Sequence, residues 1–293
     1  MKKKWLFLLS VLAALTLFLT GCRQQSSGDK SKIKIVTSTN IYSDISMQIV
    51  GKYGTAIAML KSPSVDPHDF EPTTQDAKSV AQADLLVANG SGYDSWMQRL
   101  AKGNNKKQVI SVAQDVMGFS KTSNPHIWYD LKMPVKYVDY LTKKLTKIQP
   151  RHKAYFEKNA KLYLKKVARL QKQADQIKPK SDKPVFVSEP VFDYALKATG
   201  FKVGDKSFEA AAEEETDPTP ESIKTMKKAI TSRQIAFFVN NVQVSSSTVN
   251  NFVSLAKKHD VPVLEVRETM PSHISYLNWM SQSYKRLAAI SQK

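Results

Sequence analysis

Residues 151–178 contain neither glycine nor proline, and within them Phe156, Ala160, Tyr163, Val167, Leu170 and Ala174 recur at spacings of three or four. That is the pattern of one long amphipathic helix, and a helix of that length would run about 42 Å. It stands at mid-chain between two blocks in which short apolar runs alternate with helical ones. A chain built this way is constrained to an α/β architecture: two pseudo-symmetric lobes, each a mostly parallel sheet flanked by helices, joined by one long rigid helix. An amphipathic core helix within a single domain is the simpler alternative.

In the first block, residues 32–39 alternate Ile33, Ile35 and Thr37 with polar residues, which predicts a strand. Asn40 is placed to cap the next helix, where Ile41, Ile45 and Ile49 share a face. Strands are expected at 56–60, 85–88 and 109–112. Helices are expected after the capping box Thr73-Thr74-Gln75-Asp76 and around Trp96, Met97 and Leu100. Residues 133–148 read as helical. In the second block, strands are expected at 185–188, 235–239 and 261–266. Helices are expected around Phe192 to Leu196, after Thr219-Pro220-Glu221, and over 247–258 and 274–290.

The amino terminus is a targeting segment. Lys2, Lys3 and Lys4 precede an apolar run at 5–19, which is shorter than the roughly 20 residues a bilayer span requires. The run ends Leu19-Thr20-Gly21-Cys22, resembling a bacterial lipobox with Cys22 as the lipidated residue. The expected division is a signal peptide at 1–21, a tether at 22–31, an N-terminal lobe at 32–148, a connecting helix at 149–179 and a C-terminal lobe at 180–293. The mature chain is thereby placed at the extracytoplasmic face of the cell membrane, held by lipid. One cysteine in the whole chain excludes a disulfide framework or a Cys-rich zinc module. The net charge is +18, of which the signal carries three. With no aromatic-interleaved basic patch, the expected counter-charge is an anionic membrane surface rather than nucleic acid.

Four residues carry the chemistry. His68 lies in Asp66-Pro67-His68-Asp69-Phe70-Glu71-Pro72, and His126 in Asn124-Pro125-His126-Ile127-Trp128-Tyr129-Asp130. Both follow proline in stiff extended segments. Glu189 and Glu268 each follow an expected strand of the second block. All four fall beyond carboxyl ends of strands, where open α/β sheets bind ligands. Two imidazoles and two carboxylates suit a divalent cation. Glu265 competes with Glu268 but lies within its strand. His152, His259 and His273 read as ordinary surface residues. The run Glu213-Glu214-Glu215 reads as a solvated loop, with attraction of cations to a cleft mouth as its alternative.

The two Pro-His motifs, with Asn89-Gly90-Ser91-Gly92-Tyr93-Asp94-Ser95-Trp96, Val187-Ser188-Glu189 and Asp217-Pro218-Thr219-Pro220, resemble the metal-binding lipoproteins of bacterial ABC transporters. This is the cluster A-I, or family 9, solute-binding group of zinc and manganese importers. The resemblance covers essentially the whole mature chain. It implies a monomeric, non-enzymatic protein that captures Mn2+ or Zn2+ between two lobes and delivers it to a membrane permease with a cytoplasmic ATPase. It implies His68 and His126 as ligands, with Glu189 where manganese-type members carry Glu and zinc-type members often carry His. The family's last ligand is usually an Asp after the final strand, and Glu268 is the nearest substitute here. Carboxylate-rich ligation leans to manganese. Two other classes are weighed beside this one. A metallohydrolase would need an open coordination position and a base, and the chain has no HExxH. A surface adhesin is permitted by the anchor but indicated by no motif.

Overall fold

The computed structural model describes residues 32–63, 65, 70–103, 108–214, 216–243 and 246–292. The signal and tether with Cys22, and His68 with most of its loop, lie outside the described residues. So does Glu215.

The first block folds as β1 (Ile33–Thr39), α1 (Asn40–Val50), β2 (Gly54–Leu60), α2 (Thr74–Gln82), β3 (Leu85–Ala88), α3 (Ser95–Gly103) and β4 (Val109–Ser111). The four strands are all parallel in the order β2-β1-β3-β4, with Val36 opposite both Ile57 and Leu86. The second block supplies β5 (Phe186–Val187), β6 (Phe238–Asn241) and β7 (Val263–Val266), parallel in that order. Around it lie α6 (Asp193–Ala198), α7 (Lys206–Glu213), α8 (Pro220–Thr231), α9 (Ser247–Lys258) and α10 (Tyr276–Ile290). Between the blocks stand α4 (Lys132–Ile148) and the long helix α5 (Lys153–Asp175).

The α5 stripe is the one its spacing predicts: Phe156, Ala160, Tyr163, Val167, Leu170 and Ala174 are its buried residues. The helix is shorter than 151–178, about 35 Å for its 23 residues, because Pro150–His152 form a separate 3-10 turn. There the His152 ring stacks on Tyr53 with centroids 3.6 Å apart. Side chains fix α5 to both blocks. Asn159 Nδ2 donates to the Ile49 carbonyl of α1 (3.0 Å), and Gln173 Nε2 to the Ser281 carbonyl of α10 (3.1 Å). One apolar cluster runs beneath both sheets, from Ile35 and Val87 through Trp128, Tyr129 and Tyr276 to Val187, Val239 and Leu264. Among the described residues no helix is long and apolar enough to cross a membrane.

Four local expectations are corrected. Thr39, not Asn40, sits at the cap of α1, without a side-chain cap bond, and Asn40 Nδ2 donates to the Met270 carbonyl (2.9 Å). β4 ends at Ser111, where the Asp115 carboxylate accepts the Ser111 N–H (2.8 Å) and residues Val112–Met117 coil into a π turn. Ile235 and Phe237 are buried as expected, yet the ladder of β6 is shifted to Phe238–Asn241 by pairing with Phe186 and Val263. Helix α7 was not expected, since an Ala- and Glu-rich stretch offers only Phe208 as an apolar anchor.

Candidate metal centre

The loop after β3 builds one wall of the site. Gly90, Ser91 and Gly92 all take positive φ, and the chain turns back tightly there. The buried Asp94 carboxylate holds the turn, accepting the N–H of Asn89 (2.5 Å) and of Gly90 (2.9 Å). Asn89 in turn accepts from Tyr42 Oη (2.5 Å) and donates through Nδ2 to the Pro125 carbonyl (2.9 Å). A turn written in glycines and a buried carboxylate thereby sets the position of the Pro125-His126 segment.

His126 is fully buried, with the rings of Trp128 and Tyr93 set edge-on at centroid distances of 5.3 and 6.4 Å. Asn124 Oδ1 accepts both the His126 backbone N–H (2.9 Å) and its Nδ1 (2.8 Å), while Asn124 Nδ2 is spent on the Pro190 carbonyl (2.7 Å). With Nδ1 held by Asn124, Nε2 is the nitrogen left to take a proton or a metal. That nitrogen is buried without a hydrogen-bond partner. It faces Glu268 Oε1 at 3.7 Å and Glu213 Oε1 at 3.9 Å.

The second block supplies the acids. Glu189 follows β5, is 5% exposed, and accepts from Asn241 Nδ2 (2.8 Å) at the end of β6. Glu268 follows β7 and is 4% exposed. Its N–H and that of Thr269 both donate to Gln243 Oε1 (2.8 and 2.9 Å), and Gln243 Nε2 donates onward to the Pro63 carbonyl (2.8 Å). Burial, with the Glu268 and Asp94 carboxylates beside it, holds the Tyr93 phenol well above its usual range. Glu265, by contrast, is exposed within β7, where it pairs with Asn240 and its carbonyl accepts from Arg286.

Burial pushes the Glu189 carboxyl up to about 7, against the Asn241 bond and with Glu268 and Glu213 adding to the rise. For His126, burial disfavours the charged ring, but Glu268, Glu213 and Glu189 outweigh it and raise its pKa. Acceptors and negative charge are thus concentrated in a dry place, where Coulomb interactions are strong. Such an arrangement is stabilised by a cation. Among the described residues no three of His, Cys, Asp and Glu are drawn together tightly enough to hold an ion. The structure brings His126 and Glu268 together, with Glu189 in electrostatic reach, while His68 lies outside the described residues.

Sequence reasoning missed several participants. Asn124, Asn241 and Gln243 hold the donors, yet polar residues of this kind are common in loops. Glu213 reads in the sequence as part of a solvated run, with attraction of cations to a cleft mouth as the alternative, and in the fold it ends α7 facing His126. The signal available was α7 itself, whose Asp205 side chain accepts the Phe208 N–H as a helix cap (3.1 Å).

Residues 35–290 match the family model described as zinc-uptake complex component A, periplasmic. The chain is 30% identical over 281 residues to the metal ABC transporter substrate-binding lipoprotein SsaB of Streptococcus sanguinis, covering 90% of this chain and 88% of that one. It is 28% identical over 281 residues to the manganese ABC transporter substrate-binding lipoprotein PsaA of Streptococcus pneumoniae, covering 89% and 88%. Among solved structures it resembles the substrate-binding protein FpvC of Pseudomonas aeruginosa in complex with Mn2+, with TM-score 0.74, 20% identity and 89% and 99% coverage. It also resembles the periplasmic zinc-binding protein TroA of Treponema pallidum, with TM-score 0.71, 18% identity and 89% and 99% coverage. These likenesses agree on the two-lobed α/β fold.

Proposed function

The chain belongs to the zinc-uptake component A family of ABC-transporter substrate-binding proteins, which are not enzymes, and from that premise we propose that it captures one divalent transition-metal ion through His68, His126, Glu189 and Glu268 and hands it to a membrane permease driven by a cytoplasmic ATPase. The observation that carries this reading is the buried Nε2 of His126, its ring held through Nδ1 by Asn124 and this nitrogen aimed at the Glu268 carboxylate 3.7 Å away. An imidazole lone pair and a carboxylate buried face to face repel one another unless a proton or a metal lies between them.

His68 enters by its motif, and the hydrogen bond from Gln243 to Pro63 supports it, since the same side chain also holds the Glu268 backbone. Glu268 is preferred to Glu265 because it is buried beside His126 while Glu265 faces solvent. Manganese is favoured over zinc because two of the four donors are hard carboxylates. The lobes of the proposal are residues 32–148 and 180–293, with 149–179 as the connector. Residues 1–21 are removed as a signal, and lipid on Cys22 holds a monomer at the extracytoplasmic face of the membrane, beside its anionic headgroups. The test is elemental analysis of protein purified without chelator, followed by Mn2+ against Zn2+ competition. Stoichiometric manganese or zinc supports the proposal, and a protein that takes up neither refutes it.

A further inference from the structure

Helix α7 separates two clefts. One, of about 360 Å3, is lined on the helix side by Phe208 and Ala212 and reaches Glu189. The other, of about 390 Å3, is lined by Glu209, Glu213 and Glu214 opposite Tyr93 and Asn124. The helix is anchored between them by few groups. Phe208 is fully buried, and Lys206 Nζ binds both Asp193 Oδ2 (3.1 Å) and Glu209 Oε1 (2.8 Å). Asp193 belongs to α6, four residues beyond Glu189, so this ion pair sets α7 against the segment that carries Glu189. The far end of α7 then places Glu213, with its side chain 21% exposed, where one oxygen stands 3.9 Å from His126 Nε2. Glu213 is the acid that meets both the second cleft and the buried nitrogen.

We propose that Glu213 is itself a donor to the captured ion, a third carboxylate on the His126 side of the site. This rests on the reading that a divalent ion occupies the cleft, and it goes beyond the His, His, Glu, Glu set. A fifth donor raises the coordination number above the four that zinc favours, toward the higher number and oxygen-rich shell that suit manganese. Glu213 is thus a selectivity residue as well as a ligand. Being part-exposed, it is also, among the described donors, the one an entering ion meets first.

The test compares Glu213→Gln with Glu214→Gln, the exposed neighbour, in the full mature chain. Each protein is titrated with Mn2+ and Zn2+ by competition, and loaded with Co2+ for its visible spectrum, with thermal melts confirming that both are folded. The expected result is a loss of Mn2+ affinity of about tenfold or more in Glu213→Gln, a smaller loss for Zn2+, and a Co2+ spectrum shifted toward lower coordination number, with Glu214→Gln unchanged. The spectrum decides: if it is the same in Glu213→Gln as in wild type, the inference is overturned whatever happens to affinity, because long-range attraction alone would weaken binding without touching the ion. Wild-type protein that binds none of the three ions would overturn the capture reading instead.

Discussion

The back and the front of this molecule are built on opposite principles. At the back, α4 and α5 bury an unbroken apolar stripe, and Asn159 and Gln173 tie α5 to helices of both blocks. At the front, Glu189, Glu268 and His126 are as deeply buried as the core, but they bring charge and lone pairs into a dry space. The back supplies stability and the front spends part of it. Among the described residues, a buried imidazole nitrogen and two buried carboxylates meet only here, which marks the place as a candidate site. Cross-block bonds stand close to the front: Asn124 to Pro190, Tyr129 to the Arg267 carbonyl (2.7 Å), and Tyr194 to the Asn124 carbonyl (2.9 Å). The two blocks share a core as well as a cleft, so capture is expected to proceed by small rotations and loop ordering, not by wide closure.

The contrast can be broken most severely from behind. Phe156→Ala removes a fully buried ring and is expected to cost about 3–5 kcal/mol of stability by chemical denaturation. Metal affinity of the folded protein should stay within a few-fold, and a large loss would show that back and front are not separable. From the front, His126→Ala should reduce affinity by more than the roughly 10–100-fold that loss of an outer partner costs, with little change in the melt. Asn124→Ala leaves the ring but frees its tautomer and the Pro190 tie, and a loss of about 10–100-fold in a competition titration is expected.

Glu189→Gln sharpens the comparison in the other direction. It removes a buried charge, so the metal-free protein should gain stability on the order of 1–3 kcal/mol at pH 8, while affinity falls. The pH dependence follows with the same sign. Glu189 is raised from 4.5 to about 7 on folding, so its contribution is fully present below 4.5 and is lost as pH rises through about 7. His126, also raised, contributes below its ordinary 6.5 and loses that contribution as pH climbs through its higher folded value. Metal-free protein should therefore melt lower at pH 8 than these groups allow at pH 5.5. The rise in melting temperature on adding Mn2+ should be larger, by several degrees, at pH 8.

Much of the helical framework was legible in the residues. The buried set of α5 matches its three-and-four spacing residue for residue, α9 runs over the expected 247–258, and Thr73 and Thr219 cap the helices they were expected to start. Periodicity records burial, and the back is made of burial. At the front the residues offered candidates where chemistry is rare in composition, histidines behind prolines and acids directly after strands; of these, His126, Glu189 and Glu268 are buried within reach of one another, and His68 lies outside the described residues. The amides that aim those groups left no signal, because Asn124, Asn241 and Gln243 act through geometry that only the fold creates. Glu213 was obscured by its neighbours, since a run of glutamates reads as solvent-facing until a helix turns one of them inward.

The central claim is that donors from both blocks converge on one cation. Titration calorimetry of chelator-stripped protein with Mn2+ and with Zn2+ at pH 7, repeated in two buffers of different ionisation heat, addresses it directly. Saturation at one ion per chain, with protons displaced from His126 and Glu189, is the predicted result. Absence of saturable binding of either ion would contradict it.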